Sequence, residues 1–337
     1  MKRTEGSART ATVIGSHQGK VRIGVVGAGV FGGYHAQKFS STPHAEFVGV
    51  FDLNIEAAGA LVAKVGKGAA FRTFEALADA CDALVIATPA NTHATLTRRA
   101  LDAGKHALVE KPLALTGHEA RALAGLALER GLVLQVGHQE RLVFQAMGLF
   151  STGERPINIE GARVGPASPD GRCEDVSAIF DLMIHDLDLA AELFGAEVTS
   201  VNGRGRRVHT KHIDETIALL KFGNGGEAKL TASRARQQRS RWMRIDYPSG
   251  TVEIDFLTRK VKNTTPFNIR ADVSEVLPDP LRAADEAFLA AIQGRAVSPV
   301  TGGVGARAAA MAELVERNAL KRVPALPVAS TSAAVAA

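Results

Sequence analysis

Short apolar runs alternate with segments of helical periodicity along the first part of the chain, from Val21 onward. The runs are nearly continuous, as in strands that are buried on both faces of a parallel sheet. The segments between them have apolar residues at helical spacing, and several end on glycine. The predicted strands are VRIGVVG, EFVGVFD, DALVIAT, HALVEK and LVLQVGH. This pattern predicts an α/β domain with a doubly wound parallel sheet.

The pattern changes after Gly137, where one long helix is followed by the apolar and polar alternation of half-exposed strands. GNGG (223–226) and PSG (248–250) predict hairpin turns between them. The predicted strands are EVTSVNGRGRRV, ETIALLKF, EAKLTASRA, WMRIDYP and TVEIDFL. Two helices follow, and their periodicity does not show where they pack. We predict a second α/β domain with a large, mainly antiparallel sheet.

The first predicted strand leads into Gly27-Ala28-Gly29-Val30-Phe31-Gly32, a G-x-G-x-x-G pattern at a strand-to-helix turn. Gly27 permits a tight turn, Gly29 lets a pyrophosphate approach the backbone, and Gly32 lets helix and sheet pack closely. Such a pattern also arises by chance in tight turns, but the flanking strand and helix favour dinucleotide binding. We therefore assign the hexapeptide to a cofactor site.

Asp52 lies at the end of the second predicted strand, 20 residues after Gly32. A carboxylate here accepts hydrogen bonds from both ribose hydroxyls and repels a 2′-phosphate. The alternative is that Asp52 caps a helix, although Asn54 can take that role. The position of Asp52 favours NAD over NADP.

Two further polar segments, ATPANTH (87–93) and VEKPLALT (109–116), follow predicted strands of the first domain. Ligands of open α/β sheets bind at the carboxyl ends of the strands. A salt bridge between Lys111 and Glu110 is the alternative for that lysine. The side chains that we expect to line the cofactor site here are Thr88, Pro89, Asn91, His93, Glu110 and Lys111.

The segment FDLMIHDLDLAAELFG (180–195) has the periodicity of a buried helix, yet it carries several polar residues. Asp181, His185 and Asp188 are spaced at i, i+4 and i+7, which places them on one helical face. Asp186 falls about 100° away from His185, and we interpret it as a solvated or structural carboxylate. A core histidine pinned by one carboxylate is the alternative for His185.

Composition restricts the class of protein. The chain has 337 residues, of which 46% are apolar, so two domains are expected. The net charge of +5 suits anionic small molecules, but aromatic residues are only 5%, and no basic run alternates with them as in nucleic-acid surfaces. Cys81 and Cys173 are far apart, which favours a reducing compartment such as the cytoplasm. No residues stand at metal-ligand spacing.

The two ends of the chain carry no core pattern. Residues 1–20 lack the apolar centre of a signal peptide, and we expect a flexible tail. Residues 324–337 lack charge and periodicity, and we expect disorder. No apolar run approaches the roughly 20 residues of a membrane helix, so no membrane partner is expected.

The glycine pattern, ATPANTH, EKP (110–112) and DLMIHDLDL (181–189) together resemble the Gfo/Idh/MocA oxidoreductases. The resemblance implies an NAD-binding Rossmann domain over 21–139 and a domain for substrate binding and oligomerisation over 140–323. It also implies oxidation or reduction of sugars, sugar derivatives or cyclitols with a nicotinamide cofactor, and a homodimer or homotetramer through the second sheet.

The family's catalytic positions map to Lys111, Asp181 and His185. Alcohol oxidation needs a base near neutral pH, and we assign His185 to this role, with Asp181 orienting its ring. Lys111 would stabilise the developing alkoxide, or would itself be the base if its pKa were lowered. The sequence leaves these two roles open.

A finer resemblance links VGHQERLVFQA (136–146) and the R-x-x-D-V at Arg172 to the branch that acts on UDP-sugars, in particular UDP-N-acetylglucosamine 3-dehydrogenases. That branch commonly reads ERFNP, whereas this chain has Arg141-Leu142-Val143-Phe144. The implied product is a 3-keto sugar, which a PLP-dependent aminotransferase would convert for lipid A or surface polysaccharide. The predicted substrate contacts are Lys111, His138, Arg141, Arg163, Arg172, Asp181 and His185, with the arginines on phosphate.

Three alternatives stand beside these assignments. The arginines of SRARQQRSR (233–241) would face water or another subunit instead of phosphate. The chain could be a dehydrogenase of an unlinked sugar or a cyclitol. It could also be a non-catalytic sensor of NAD or sugar, although such a sensor has no chemical reason to retain Lys111, Asp181 and His185.

Overall fold

The computed structural model describes residues 17–323. The predicted disordered tail, 324–337, and residues 1–16 of the predicted flexible tail lie outside the described residues. Residues 17–20 contact the end of a late helix, where Gln293 Nε2 donates a hydrogen bond of 2.8 Å to the Gly19 carbonyl.

The first half forms a six-stranded parallel sheet in the order β3-β2-β1-β4-β5-β6. This order is that of a Rossmann fold, as predicted. The strands are β1 (Val21–Val26), β2 (Ala45–Phe51), β3 (Ala69–Phe71), β4 (Ala83–Ile86), β5 (His106–Val109) and β6 (Leu134–Val136). The helices are α1 (Val30–Ser41), α2 (Ile55–Val65), α3 (Phe74–Ala80), α4 (His93–Asp102) and α5 (Gly117–Glu129). The sequence did not indicate β3, because three mostly exposed residues make no apolar run.

The second half contains a seven-stranded sheet in the order β13-β12-β11-β7-β10-β9-β8. The strands are β7 (Asn158–Val164), β8 (Val198–Arg206), β9 (Glu215–Phe222), β10 (Glu227–Ser233), β11 (Ser240–Tyr247), β12 (Gly250–Asp255) and β13 (Lys260–Asn263). Only β7 and β10 pair in parallel, so the sheet is mainly antiparallel as predicted. Both predicted hairpins form, between β9 and β10 and between β11 and β12.

Helices join the two sheets. They are α6 (Glu140–Met147), α7 (Ile184–Phe194), α8 (Pro280–Ile292) and α9 (Gly302–Leu320). Although α8 follows the second sheet in sequence, its Phe288 and Ile292 are buried in the core of the first sheet. Helix α9 packs against both sheets: Ala306 lies in the hydrophobic core of the first sheet, and Val315 lies in that of the second. None of the helices within 17–323 is long and apolar enough to cross a membrane.

Candidate active site

The glycine loop between β1 and α1 has the shape of a pyrophosphate cradle. Gly27 has φ +107°, and a Cβ there would lie 2.5 Å from the Ala87 carbonyl oxygen. A Cβ on Gly32 would lie 1.9 Å from the Gly27 carbonyl oxygen, whereas one on Gly29 would meet nothing within 4 Å. No side chain caps the N-terminus of α1. The open approach at Gly29 and the uncapped amides fit the pyrophosphate of a dinucleotide.

Asp52 holds the end of β2 against this loop. Its Oδ2 accepts a hydrogen bond of 2.7 Å from the Ala28 amide, and its Oδ1 accepts one of 2.8 Å from the Asn54 amide. Asn54 caps α2 by accepting from the Ala57 amide. The capping role therefore belongs to Asn54, and the carboxylate of Asp52 stands beside the glycine cradle.

The segment after β4 turns through a short 3₁₀ helix, Ala90–Thr92. Thr88 Oγ1 hydrogen-bonds Thr92 Oγ1 at 2.7 Å, while Pro89 and Asn91 are exposed. His93 is buried, and its ring nitrogens lie 2.6 Å from the Pro112 carbonyl and 2.9 Å from the Thr88 carbonyl. Its side chain thus links the loop after β4 to the loop after β5.

Lys111, at the end of β5, pairs with Asp181 of the second domain. Its Nζ donates to Asp181 Oδ1 at 3.0 Å and to the Asp181 carbonyl at 2.7 Å. Burial lowers the pKa of Lys111, but the Asp181 carboxylate outweighs this and raises it above its ordinary value. Burial raises the pKa of Asp181, but the Lys111 cation lowers it on balance. The two groups therefore form an ion pair at neutral pH, in place of the alternative pair of Lys111 with Glu110.

A π-helical turn, Ile179–Met183, precedes α7 and places Asp181. Within it the Ile184 amide donates to the Ile179 carbonyl, five residues back. The wider turn changes the angle between Asp181 and His185 from that of an α-helix. The predicted contact between them is therefore wrong: Asp181 binds Lys111, and Nδ1 of His185 has no hydrogen-bond partner among the described residues.

His185 is partly buried beside the ion pair. Burial lowers its pKa, and the charges of Lys111 and Arg163 lower it further, to well below the ordinary value. The ring of His138 packs edge-on against it, with centroids 6.1 Å apart. His185 is thus a neutral imidazole at pH 7, next to a cationic Lys111.

Asp186 is fully buried, so of the two interpretations, a solvated or a structural carboxylate, the structural one is correct. Its Oδ1 accepts a hydrogen bond of 2.8 Å from Arg163 Nε. Arg163 is 1% exposed and also donates to both carboxylate oxygens of Glu140. Because its charge is already matched by two carboxylates, Arg163 supports the site from within the core instead of presenting a free fork to phosphate.

A second buried group lies beneath His138. Arg141 Nη1 donates to Asp188 Oδ1 at 2.9 Å, and its Nη2 lies 2.7 Å from Glu192 Oε2. His138 Nδ1 lies 4.0 Å from Asp188 Oδ2. Arg141 is therefore also occupied by carboxylates. Arg172, the third predicted phosphate ligand, is exposed in the loop that precedes the π turn.

Cys173 is a site residue that the sequence did not indicate. Its backbone has φ +64°, which is uncommon for a residue with a side chain. Burial and the nearby Asp181 carboxylate raise the pKa of its thiol to about 11. Arg234 Nη1 donates to the Cys173 carbonyl at 2.5 Å, and Arg234 Nε donates to buried Asp214 at 2.7 Å. This ion pair fixes the loop that carries the thiol to Asp181.

Glu110 belongs to a buried chain of three ionisable groups. His35 of α1 places Nε2 3.1 Å from Glu110 Oε1 and Nδ1 2.8 Å from Asp285 Oδ1 of α8. Burial lowers the pKa of His35, but the two carboxylates raise it to about 10. His35 is therefore an imidazolium at neutral pH that links α8 to the residue before Lys111. Three distant segments meet in this chain, so local sequence gave no signal of it.

Within residues 17–323, no group of three or more His, Cys, Asp or Glu side chains is arranged to hold a metal ion.

The dinucleotide cradle and the paired Lys111 open onto the same edge of the first sheet, and the second domain brings His185 to that edge. Such an arrangement defines a two-domain, NAD-dependent oxidoreductase. Residues 21–138 match the family model of the Gfo/Idh/MocA oxidoreductases with an NAD-binding Rossmann fold, and residues 157–253 match the model of their C-terminal domain. The chain belongs to the Gfo/Idh/MocA family.

The relatives of this chain include a UDP-sugar dehydrogenase and an inositol dehydrogenase. The chain is 40% identical over 238 residues to UDP-N-acetylglucosamine 3-dehydrogenase of Acidithiobacillus ferrooxidans, covering 70% of this chain and 74% of that protein. It is 33% identical over 231 residues to scyllo-inositol 2-dehydrogenase (NAD(+)) of Bacillus subtilis, covering 64% and 68%. The family resemblance predicted from the sequence is thereby confirmed.

Solved structures agree with these matches. The structure of GnnA, the UDP-N-acetylglucosamine 3-dehydrogenase of A. ferrooxidans, has a TM-score of 0.81 at 35% identity, covering 90% of this chain and 99% of that one. The WlbA dehydrogenase of Bordetella pertussis, in complex with NADH and UDP-GlcNAcA, has a TM-score of 0.80 at 21% identity and covers 90% and 96%. The latter shows a shared fold.

Proposed function

We propose that this chain oxidises the 3-hydroxyl of UDP-N-acetylglucosamine to the 3-keto sugar with NAD. One observation carries the proposal: the Lys111–Asp181 pair and the neutral His185 meet at the NAD-binding edge. The overall identity of 40% to a UDP-N-acetylglucosamine 3-dehydrogenase supports the choice of sugar.

NAD would be held by the glycine cradle at its pyrophosphate and by Asp52 at its adenosine ribose. The remaining cofactor contacts that we propose are Thr88, Pro89, Asn91 and the segment of Glu110 and Lys111. When bound, NAD supplies the hydride acceptor for alcohol oxidation.

The proton of the substrate hydroxyl would pass to His185. A neutral imidazole has a lone pair to accept it, and the low pKa of His185 favours its onward release to solvent. Lys111, held as a cation by Asp181, would donate a hydrogen bond to the same oxygen and stabilise the developing alkoxide. The raised pKa of Lys111 thus favours His185 as the base.

A dehydrogenase of an unlinked sugar or a cyclitol is the second candidate. It is favoured by the identity of 33% to an inositol dehydrogenase. It is also favoured by the carboxylates that occupy Arg141 and Arg163, since these arginines then offer little to a diphosphate. The non-catalytic sensor is a third candidate with no observation of its own.

The deciding experiment incubates the purified protein with NAD and, separately, UDP-N-acetylglucosamine, free N-acetylglucosamine, myo-inositol and scyllo-inositol, following NADH absorbance. We expect turnover with the UDP-sugar and a 3-keto product that hydroxylamine traps as an oxime. Turnover confined to the unlinked compounds would support the second candidate. NAD binding without turnover of any compound would support the sensor.

We also propose that the chain assembles through the open face of the second sheet, as a homodimer or homotetramer. Ile217 and Leu219 of β9 are 43% and 48% exposed on that face, and a second copy would cover them. A PLP-dependent aminotransferase would consume the 3-keto sugar, for lipid A or surface polysaccharide. The free thiols of Cys81 and Cys173 favour the cytoplasm as the compartment.

A further inference from the structure

Arg241 stands on the same sheet face as the buried Arg163. The two residues are directly opposite in the antiparallel pairing of β11 with β7, where Cβ atoms are about 4.5–5.5 Å apart. The same row continues with Met243 and Ile245, both fully buried in the second core. The side chain of Arg241 therefore points to the buried face of the second sheet. It lies at the end of this row of side chains, opposite Arg163.

The two arginines differ in their partners. Arg163 binds Asp186 and Glu140. By contrast, the guanidinium of Arg241 makes no ion pair and no hydrogen bond within residues 17–323, and neither does that of Arg239 at the entry to β11. The side chain of Arg239 lies over Gly165, at the end of β7, where a Cβ would come within 3.6 Å of it. Among the described residues, Arg239 and Arg241 thus have no direct ion-pair partner, and the charges of Glu140 and Asp181 act on Arg241 only from a longer distance.

An unmatched cation in this place is costly. Arg241 is partly buried, and burial together with the charge of Arg163 lowers its pKa. Its charge also contributes to the low pKa of His185, so the two groups interact electrostatically. The other two side-chain cations that lower the pKa of His185, Lys111 and Arg163, both have carboxylate partners. A partly buried charge without a direct ion-pair partner is the arrangement expected of a site that an anionic ligand completes.

We propose that Arg241, assisted by Arg239, binds the phosphoryl groups that link the substrate sugar to its nucleoside. The proposal rests on the proposed function and adds the residues that would select a nucleotide-linked sugar over a free one. Each phosphoryl group of such a linker carries a negative charge, and a guanidinium donates to two phosphate oxygens at once. The proposal gives two arginines of the SRARQQRSR segment the phosphate-binding role that the sequence predicted for Arg141, Arg163 and Arg172.

The test compares Arg241→Gln with Arg236→Gln, a matched control in the same segment. Arg236 is exposed, and its Nε lies 2.7 Å from Glu215 Oε2, so its charge already has a partner. In Arg241→Gln we expect KM for UDP-N-acetylglucosamine and the inhibition constant of UDP to rise roughly 10- to 100-fold, the range of a lost charge-assisted hydrogen bond. The kcat and the Kd for NAD should stay within a few-fold of the parent, and the control should change neither KM nor inhibition.

Other outcomes overturn the proposal. Unchanged KM and unchanged UDP inhibition in Arg241→Gln would do so. A weaker Kd for NAD with an unchanged KM would assign the guanidinium to the cofactor and would also overturn it. Thermal unfolding of each variant, measured in parallel, checks that the fold is retained.

A separate measurement distinguishes this proposal from the proposed function. Inorganic pyrophosphate and UDP are titrated calorimetrically into the NAD-saturated protein and into Arg241→Gln. Binding to the parent that is lost in the variant supports the anion site even if UDP-N-acetylglucosamine is not turned over. If the parent binds neither probe, the proposal fails, even if the enzyme oxidises sugars.

Discussion

Lys111 Nζ lies 3.0 Å from Asp181 Oδ1 and 2.7 Å from the Asp181 carbonyl oxygen. The lysine ends a strand of the first domain, and the aspartate sits in the π turn of the second. The lysine is thus held in its charged form by a residue 70 positions further along the chain. The active site therefore exists only where the two domains meet.

Replacing Asp181 by Asn should move the alkaline limb of the pH–rate profile to lower pH. Asp181 raises the pKa of Lys111, so its loss lets the lysine deprotonate at lower pH and removes the positive charge that would stabilise the alkoxide. We expect kcat to fall roughly 10- to 100-fold with little change in NAD affinity. The measurement is kcat and kcat/KM as functions of pH. An alkaline limb at the parental pH would contradict the stabilising role of this pair.

His185→Ala should reduce kcat by roughly 10²- to 10⁴-fold, the contribution of a general base. The pKa of His185 is well below 6.5, so the neutral, active form persists as pH falls through 6.5. The parent's acid limb should consequently lie below pH 6.5, and the variant should lack it. His44→Ala, on an exposed histidine, is the control and should retain the parental profile. A parental acid limb above pH 6.5 would argue against His185 as the base.

Asp52→Ser should narrow the preference for NAD over NADP by on the order of tenfold or more, because the repulsion of the 2′-phosphate is removed. KM for NAD should rise as well, since the carboxylate no longer braces the Ala28 amide. The test is to measure kcat/KM with NAD and with NADP. Asp79→Ser, on the exposed surface of α3, is the control variant. If the ratio of kcat/KM for NAD to that for NADP is the same in Asp52→Ser as in the parent, the carboxylate does not contact the adenosine ribose.

His35→Gln should destabilise the protein by about 3 kcal/mol near pH 6, because two buried carboxylates lose their cation. The folded-state pKa of His35 is raised to about 10, so its stabilisation is complete below about pH 6.5. The stabilisation is lost as pH rises through about 10. The difference in unfolding free energy between parent and variant should therefore shrink between these values. Denaturant unfolding across that range measures it, and a difference that does not change with pH would contradict a charged His35.

The sequence alone predicted those site residues whose positions depend only on the neighbouring secondary structure. The glycine loop, Asp52 and Lys111 are each marked by their position directly after an apolar strand, and the structure brings them to one sheet edge. The hairpins were equally local, since turn residues decide them. β7 was missed because Gly161 interrupts its centre and a strand signal is weak there.

Partners of buried side chains could not be predicted in this way. Helical geometry left Asp186 as either a solvated or a structural carboxylate, and it did not indicate that Arg163 of β7 would be its partner. The sequence predicted a cofactor contact for His93, but it did not indicate that the ring nitrogens would lie beside two main-chain carbonyls. The π turn that separates Asp181 from His185 depends on tertiary contacts and left no mark in the spacing. Each of these outcomes depends on segments that are distant in sequence.

Helix α8 returns from the second sheet to bury Phe288, Leu289 and Ile292 in the same core as Val21 and Phe39. Consider a chimera in which everything after residue 139 comes from a related enzyme. In that chimera α8 would be foreign, yet it would have to pack against the native first sheet. The unit that can be grafted without disturbing that core is the internal stretch between α6 and α8. To change the sugar specificity of this chain, only this internal stretch should therefore be replaced, and the native helix Pro280–Ile292 must be kept.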